Sequence, residues 1–474
     1  MQRPAKPFTP VRFRIQPPQN MNKDKFISAL SSIFETKDIK VSFDDKLIYS
    51  HDWSRVQSSE PTAVVFPRNT EQLIEVVKLC NSYSQPFIGS GGRTGLSGGA
   101  TSIADELIIS FDKMNKIIDF NETDKTLVCQ PGLITKQIQD FASENNLFYP
   151  VEFSSTASSH IGGNIATNAG GIKVIKYGLT SDYVNGLEVV GGDGKFYNFD
   201  KNLIKNATGP NLKNLFIGSE GIFGLLAKCN IKLIDIPHET TLAIIGFNDI
   251  EDLNEIRKKI HATNDIEAME FFTNESSKKV NKVYNKKNPL GYDHNYYLII
   301  EYIGSKLQNT FEDLLGKRLI QDIIISQSNS QKMQIWDIRM LISESIYLDQ
   351  PIKYDIAVPL NKYSNLVYEL ERFTKQTQIL KPILFGHVGD GNLHVNFLYS
   401  AEGDRDEAIL RDLDMMILRL VKKYKGTISA EHGIGYLKKE MFKKFALRNE
   451  ISILKSIKKN FDPKNLLNPG KVIP

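Results

Sequence analysis

Two short fragments near the C-terminal end of the chain, residues 385–396 and 429–433, carry side chains suited to metal and proton chemistry. Two histidines and a carboxylate, with one coordination position left open, are typical of a catalytic zinc or related divalent ion. Glu431 and His432 follow a strand-like run, Gly426–Ala430, and adjacent residues of an extended chain point to opposite sides, so we expect different roles for them. The pattern predicts a metal held by His387, His394 and Glu431, with His432 left as a general base.

A tight turn would bring the two histidines of the first fragment together. Asp390-Gly391 is a strong signal for a two-residue hairpin turn, with apolar or β-branched residues on both sides. In that register, or with a four-residue loop over Gly389–Asn392, His387 lies opposite His394, with Cβ atoms about 4.5–5.5 Å apart. Asn396 follows His394 by two residues and shares its face. The alternative is that the two histidines are ordinary cross-strand partners beside a tight turn. Three of the eight histidines of the chain lie within a tenth of its length, which favours the metal site.

The first of three glycine-rich loops, Gly89–Gly99, has six glycines in eleven residues. It does not fit the Rossmann fingerprint, because Thr94 stands where the third glycine belongs, and it lacks the Gly-Lys-Ser/Thr ending of a P-loop. Its backbone N–H groups could still line a concave anion site, with Arg93 nearby.

Two further loops, Ser159–Gly171 and Ile217–Gly224, are also rich in glycine and other small residues. Small residues let the backbone come close to a flat ligand. Because all three loops fall within one stretch of about 140 residues, a shared cofactor explains them better than three unrelated turns.

The composition is that of an ordinary globular protein. A chain of 474 residues predicts two or three domains, and a net charge of +4 argues against a nucleic-acid partner. Cys80, Cys129 and Cys229 are far apart, which excludes a zinc knuckle and fits a reducing compartment. No apolar run reaches the roughly 18 residues of a transmembrane segment. We interpret the first twenty residues as a flexible lead-in, with Met21 an alternative start and a cleaved organellar peptide the lesser alternative.

The elements that must position these residues follow from periodicity and capping. Asn69-Thr70 predicts the start of a helix with one apolar face. After about Pro237 the glycine loops end, and helices alternate with strands such as Tyr296–Tyr302. Residues 438–459 predict basic amphipathic helices. Further strands are predicted at 86–88, 106–111, 126–130, 187–191 and 225–234, and further helices at 134–145, 249–261 and 308–319.

Several motifs together resemble a known superfamily. Ile161–Gly171, Lys176-Tyr-Gly178, Leu187-Glu-Val-Val190 and Gly218-Ser-Glu-Gly221 resemble the FAD-binding domain of the vanillyl-alcohol-oxidase type, also called PCMH-type. Gly386–His394 and Ala430–Gly433 are similar to the C-terminal motifs of its D-2-hydroxyacid dehydrogenase branch. Within that branch the D-2-hydroxyglutarate dehydrogenases are most similar, through Asp52-Trp53, His160, Leu215–Glu220, Trp336–Arg339 and Lys353-Tyr-Asp355.

The resemblance, which spans roughly Asp52 to Lys471, implies an α+β fold. A lead-in and helix over 1–50 would precede a two-subdomain FAD-binding domain over 51–236. A substrate or cap domain over 237–437, with an antiparallel sheet and the metal site, would follow. A helical segment over 438–474 would return to the FAD domain.

The resemblance also implies roles for individual residues. Zinc, or another divalent ion such as manganese or iron, would be held by His387, His394 and Glu431. Residues implied to contact the substrate are Arg339, Ser343, Lys353, Asn396 and His432. Residues implied to bind FAD are Gly91, Gly92, Arg93, Thr94, Gly95, Ser159, His160, Gly162, Gly163, Asn164, Thr167, Asn168, Gly170, Gly171, Tyr177, Gly178, Glu220, Gly221 and Asn468.

Two positions depart from the family pattern: Ser343 usually is a threonine, and Met340 usually is an acid. From the residues alone, Arg339 and Ser343 are four apart on a predicted helix, so they share a face and could hold one carboxylate. The alternative is that Arg339 makes a structural ion pair.

The resulting hypothesis is an FAD- and metal-dependent oxidation of a D-2-hydroxy acid, D-2-hydroxyglutarate first among the candidates, to the 2-keto acid. His432 would take the hydroxyl proton while a hydride passes from C2 to flavin N5. The alternatives are a D-lactate dehydrogenase or glycolate oxidase catalytic subunit, a flavin-dependent ether-lipid synthase, and a non-catalytic flavin-binding subunit.

The expected partners are the small-molecule hydroxy acid and an electron acceptor. The sequence does not distinguish an electron-transfer flavoprotein from a quinone or a cytochrome, and it leaves a homodimer open. We expect a cytoplasmic protein, which its electron acceptor could bring to the inner membrane surface.

Overall fold

The computed structural model describes residues 23–54, 56–203, 205–262, 265–304, 307–377, 380–399 and 407–474. The first twenty residues, for which we predict a flexible lead-in, lie outside the described residues. No helix in these ranges is both long enough and apolar enough to cross a membrane.

Up to Asp235 the chain alternates short strands with six helices, counted over the described residues. The helices are α1 (Lys23–Leu30), α2 (Phe43–Tyr49), α3 (Thr70–Tyr83), α4 (Thr135–Glu144), α5 (Ile161–Thr167) and α6 (Val174–Tyr177). The strands are β1 (Ile39–Lys40), β2 (Ala63–Val65), β3 (Phe87–Ser90), β4 (Leu107–Ser110), β5 (Ile117–Asn121), β6 (Thr126–Cys129), β7 (Leu147–Phe148), β8 (Val184–Gly191), β9 (Phe196–Asn198), β10 (Gly224–Lys232) and β11 (Ile234–Asp235).

These strands build two main sheets. A four-stranded sheet has the order β1-β2-β4-β3, with β2, β4 and β3 parallel, and an antiparallel five-stranded sheet has the order β5-β6-β10-β8-β9. Helix α3 begins where its cap predicts, since the Asn69 side chain accepts a hydrogen bond from the Gln72 N–H. Its buried apolar face confirms the periodicity of the sequence.

The second half of the chain is built on one larger sheet. Its strands are β12 (Thr240–Phe247), β13 (Ile266–Thr273), β14 (Tyr296–Ile303), β15 (Asp322–Ile325), β16 (Ile352–Ala357), β17 (Leu380–Gly386) and β18 (Asn392–Tyr399). Its helices are α7 (Leu253–His261), α8 (Asn274–Tyr284), α9 (Gln308–Gly316), α10 (Asn329–Met340), α11 (Ile342–Ser345), α12 (Tyr363–Thr377) and α13 (Glu407–Lys423); α14 (Lys439–Phe445) and α15 (Arg448–Phe461) follow.

The seven strands pair antiparallel in the order β15-β12-β14-β13-β17-β18-β16. Val395 belongs to a core with residues of α12 and α13, whereas Ile383 and Phe385 belong to a core with residues of α8, α10 and α11. Because side chains alternate along a strand, His394 and Asn396 share the second of these faces. The α+β fold with an antiparallel sheet, expected from the sequence, is confirmed.

The last helix lies against the first half of the chain. Leu454, Ile457 and Phe461 of α15 pack on the core beneath the five-stranded sheet, and the Lys458 ammonium donates to the Ile222 carbonyl at 2.9 Å. The C-terminal segment therefore lies beside the glycine loops, although the domain boundaries at 51, 237 and 438 stay predictions.

Candidate active site

The hairpin that carries the two histidines differs from the expected one. Strand β17 ends at Gly386 and β18 begins at Asn392, so the turn has five residues, and His394 lies opposite Phe385 rather than opposite His387. The expected register was wrong, because His387 is the first residue of the turn and its carbonyl accepts N–H groups from three of the following residues. The two imidazole rings nevertheless lie 5.3 Å apart, nearly perpendicular to each other.

The three predicted metal ligands do come together. One ligand atom from each of His387, His394 and Glu431 lies within 4.8 Å of the others, and His387 Nε2 is 2.8 Å from Glu431 Oε1. Burial lowers the pKa of His394 to about 3, so this ring is neutral. Burial raises the pKa of the Glu431 carboxyl, but the neighbouring His387 lowers it, and the resulting pKa is about 2. A neutral imidazole and an ionised carboxylate are the forms that bind a divalent ion.

His387 is held between two carboxylates. Its Nδ1 lies 2.5 Å from Glu270 Oε1, and its Nε2 faces Glu431. Burial acts to lower the pKa of His387, but the two carboxylates hold it well above the usual value. His387 Nε2 and the Glu431 carboxylate, which contact each other here, are the same two groups that would bind a divalent ion. A histidine that binds metal through one nitrogen and a carboxylate through the other is a recurrent arrangement in metalloproteins.

Glu270, which sequence reasoning missed, is fully buried and links two predicted functional residues. Its Oε2 lies 2.7 Å from Arg339 Nη2, and the guanidinium stacks 4.7 Å from the centroid of the Phe385 ring. The available signal was the presence of two acids, Glu267 and Glu270, in the mainly apolar strand β13, since charged residues are rarely fully buried without a partner. Arg339 thus makes the ion pair that the alternative predicted, and its Nε has no hydrogen-bond partner among the described residues.

A second triad, Asp355, His394 and His432, also has the spacing of a metal site. The carboxylate of Asp355 is already used within the protein: Oδ2 accepts the N–H groups of Ala430, Glu431 and His432 at 3.1, 2.9 and 2.9 Å, and Oδ1 accepts from Asn392 Nδ2 at 2.8 Å. We therefore assign Asp355 as an anchor for this loop. The triad with Glu431 is the better metal site.

His432 lies where the predicted metal triad meets the glycine loops. The residues around it form a bend with isolated bridges at Thr427 and Ser429, so the extended run expected over Gly426–Ala430 is not formed. Its ring stacks on His394 at 5.7 Å, and its side chain is about a quarter exposed. The exposed side of His432 lines a cleft that is otherwise walled by the glycine loops.

This cleft, which we call the glycine cleft, encloses about 1000 Å³ of space, part of which is open solvent. Predicted cofactor residues that line it are Gly91, Gly92, Arg93, Thr94, Gly95, His160, Gly162, Gly163, Asn164, Thr167, Glu220, Gly221 and Asn468. Lining residues that the sequence did not indicate include Asp52, Ser97, Phe111, Pro131, Ala166 and Leu225. A Cβ atom at Gly163 would meet no atom within 4 Å, whereas one at Gly92 would lie 2.2 Å from the Ser158 carbonyl oxygen. The cleft thus offers open space over a tightly packed glycine floor, which suits a flat ligand.

Part of the second glycine loop is helical. Residues Ile161–Thr167 form α5, because Ile161 and Ile165 are buried in the core and the Asn164 N–H bonds to the His160 carbonyl. Helix propensity does not predict this helix, because two of its seven residues are glycines.

Six predicted cofactor residues do not line the glycine cleft. Ser159 bonds to Thr135, Asn168 ends α5 with φ +50°, and the Tyr177 hydroxyl donates to Glu267 at 2.7 Å. The remaining three are the close-packed glycines Gly170, Gly171 and Gly178. In this structure they shape the wall and the contact with the large sheet.

The other predicted substrate residues lie on several different helices and strands. Lys353 lies opposite Asn396 across β16 and β18, and Asn396 is buried with its amide near the Ile383 carbonyl at 3.3 Å. Arg339 is the penultimate residue of α10, whereas Ser343 is exposed on α11, after a break at Leu341. The single helix expected through Arg339 and Ser343 was wrong.

Comparisons with known proteins agree with this architecture. Residues 61–200 match the FAD binding domain model, and residues 236–472 match the model of the C-terminal domain of FAD linked oxidases. A D-2-hydroxyglutarate dehydrogenase of Stutzerimonas stutzeri is 37% identical over 95% of this chain and 99% of that protein. A protein of the same name from Xanthomonas citri pv. viticola is 35% identical over 90% and 92%. In fold, the chain is similar to p-cresol methylhydroxylase, with a TM-score of 0.74 at 17% identity over 95% and 96% of the two chains.

The chain therefore belongs to the family of FAD-linked oxidases. It is an FAD-dependent oxidoreductase.

Proposed function

We propose that this protein oxidises a D-2-hydroxy acid to the corresponding 2-keto acid, with D-2-hydroxyglutarate as its substrate. The observation that carries the proposal is the position of His432, which lines the glycine cleft and stacks on a histidine of the predicted metal triad. A base between a cofactor cleft and a metal site is what the oxidation of an alcohol requires. The curated relatives named D-2-hydroxyglutarate dehydrogenase, at 35–37% identity, support the same substrate class.

The two absent groups would each supply one part of the chemistry. A divalent ion on His387, His394 and Glu431 would act as a Lewis acid toward the hydroxyl oxygen of the substrate. FAD in the glycine cleft would supply N5 as the acceptor of a hydride. His432 accepts the hydroxyl proton as the hydrogen on C2 leaves with its electron pair, so that the alcohol carbon becomes a ketone.

Arg339, Lys353 and Asn396 are the proposed carboxylate contacts. The buried Nε of Arg339 lacks a hydrogen-bond partner among the described residues, and such a group gains from a ligand that pairs with it. Glu270 holds the other side of the guanidinium, so Nε keeps its orientation before substrate binds. A dicarboxylic acid would then place one carboxylate near the metal triad and the second near Arg339.

A short-chain hydroxy acid such as D-lactate is the second candidate. Arg339 is already paired with Glu270, and Ser343 is exposed, so the structure has less free positive charge for a distal carboxylate than the sequence predicted. A putative D-lactate dehydrogenase of Schizosaccharomyces pombe is 30% identical over 90% of this chain.

One experiment separates the candidates. The purified protein is mixed anaerobically with D-2-hydroxyglutarate, D-lactate, D-malate or glycolate, and the loss of oxidised-flavin absorbance is followed. We expect D-2-hydroxyglutarate to reduce the flavin fastest and the L-enantiomer to leave it oxidised. Faster reduction by D-lactate would make a short-chain hydroxy acid the proposed substrate. A flavin that none of the four acids reduces would overturn the proposed function.

A further inference from the structure

The loop that carries Glu431 and His432 is held by two carboxylates, the buried Asp355 and the partly buried Glu220. Asp355, on β16 of the large sheet, accepts the N–H groups of residues 430–432. Glu220, from the third glycine loop, accepts the next pair: Oε1 takes the Ile434 N–H at 2.7 Å and Oε2 takes the Gly435 N–H at 2.8 Å. The loop is therefore tied to both halves of the chain by hydrogen bonds to ionisable side chains.

Glu220 is itself fixed to the wall of the glycine cleft. Its N–H donates to the Ala166 carbonyl at 2.7 Å, and its carbonyl accepts from Asn468 Nδ2 at 3.2 Å. Ala166 and Asn468 both line the cleft. With φ of +53°, Glu220 adopts a left-handed conformation that is rare for a non-glycine residue and persists only where its surroundings fix it.

The partner loop is shaped to receive this side chain. Gly433 has φ of +73°, and a Cβ atom there would lie 2.7 Å from the carboxyl carbon of Glu220. Since only glycine allows so close an approach, residues 433–435 and Glu220 form a fitted contact. The contact begins one residue after His432.

We propose that Glu220 is a positioning residue, which fixes His432 relative to the glycine cleft by binding the N–H groups of Ile434 and Gly435. This inference rests on the proposed role of His432 as the base. Because both carboxylate oxygens bind the loop, the side chain acts on the cofactor site through the protein backbone. A displacement of about 1 Å at a reacting group can cost about 10²-fold in rate, so release of this contact should act on turnover.

The test compares Glu220→Ala and Glu220→Gln with Glu188→Gln. Glu188 is a suitable control because it is a buried carboxylate of the same half of the chain and is paired with Lys228 at 2.6 Å. For each holoenzyme, three quantities are measured: flavin content, kcat and KM with the acid that reduces the wild-type flavin, and hydrogen–deuterium exchange of the peptide over 430–437.

In Glu220→Ala we expect kcat to fall about 10²-fold with a much smaller change in KM, and FAD to remain bound. The loop peptide should gain fast exchange at two amides, those of Ile434 and Gly435. Glu220→Gln should lose about tenfold in kcat, because the amide oxygen can still accept one N–H while its NH₂ group faces the other donor. Glu188→Gln should resemble the wild type in kcat and in loop exchange.

Two results would overturn the inference while the proposed function stands: wild-type kcat in Glu220→Ala despite faster loop exchange, or unchanged exchange in both Glu220 variants. A wild-type protein whose flavin is reduced by no hydroxy acid would overturn the proposed function and the positioning role together. If Glu220→Ala does not fold, Glu220→Gln carries the same comparison.

Discussion

Glu270 connects the proposed metal site to the proposed substrate site through two contacts of one carboxylate. One oxygen fixes His387 and the other fixes Arg339. Carboxylates of this kind orient a metal-binding imidazole and raise its basicity. A single substitution should therefore act on metal affinity and on substrate binding at once.

We predict that Glu270→Gln weakens Zn²⁺ binding about 10–100-fold. The measurement is competition between the metal-free protein and a fluorescent zinc chelator at fixed pH. Glu275→Gln is the control. This carboxylate pairs with Lys381 at the protein surface, and Lys381 lies on β17, the strand that leads into the turn with His387. Equal affinities for wild type and Glu270→Gln would remove His387 from the proposed ligand set.

His432→Asn tests the base directly. Loss of a general base typically costs about 10²–10⁴-fold in rate, and we expect a decrease of this size in anaerobic flavin reduction. The flavin content should not change, because His432 is one of many residues around the cleft. The exposed His238 provides a matched control as His238→Asn. Unimpaired reduction in His432→Asn would assign the proton transfer to another group.

At the scale of elements, periodicity and capping predicted individual helices and strands such as α3, α4 and β14, because each depends on neighbours close in the sequence. Helix α3 begins at the predicted position, and strand β14 ends one residue after the predicted one. The hairpin register was wrong because it depends on a distant contact: a Cβ atom at Gly391 would lie 2.2 Å from the Val358 carbonyl oxygen. Anchoring by Glu220 and Asp355 could not be predicted either, since their partners are backbone N–H groups, which every sequence offers.

The turn over residues 387–391 should be sensitive at Gly391, which combines φ of +88° with that close approach to Val358. We predict that Gly391→Ala displaces His387 and abolishes stoichiometric zinc binding, measured by elemental analysis of the purified protein. Gly304→Ala is the control for backbone strain alone, because Gly304 also has positive φ but open space around it. A full complement of zinc in Gly391→Ala would show that the turn tolerates a side chain.

At the scale of the whole molecule, a buried ion cluster joins the FAD-binding half to the large sheet. The Lys173 ammonium, just before α6, lies 2.9 Å from Glu267 and 3.2 Å from Glu301. Tyr177, which we had predicted to bind FAD, adds a hydrogen bond to Glu267. This cluster therefore connects the segment around α6 to strands β13 and β14 of the large sheet.

We predict that Lys173→Met lowers the free energy of unfolding by about 3–5 kcal/mol, because two buried carboxylates lose their cation. The measurement is the urea midpoint of the FAD-bound protein. Lys195→Met, which removes an exposed pair with Asp193, should leave the urea midpoint close to that of the wild type. Equal midpoints for the two variants would contradict the assignment of Lys173 as an interdomain support.

The anchoring of residues 430–435 affects how the two halves of the chain can be exchanged between related proteins. Its anchors come from both halves of the chain, so the position of His432, the proposed base, depends on both of them. A chimaera that takes its FAD-binding half from one relative and its large sheet from another would inherit a loop fitted to a different glutamate. The two halves should be exchangeable only when Glu220 and the segment it holds are transferred together.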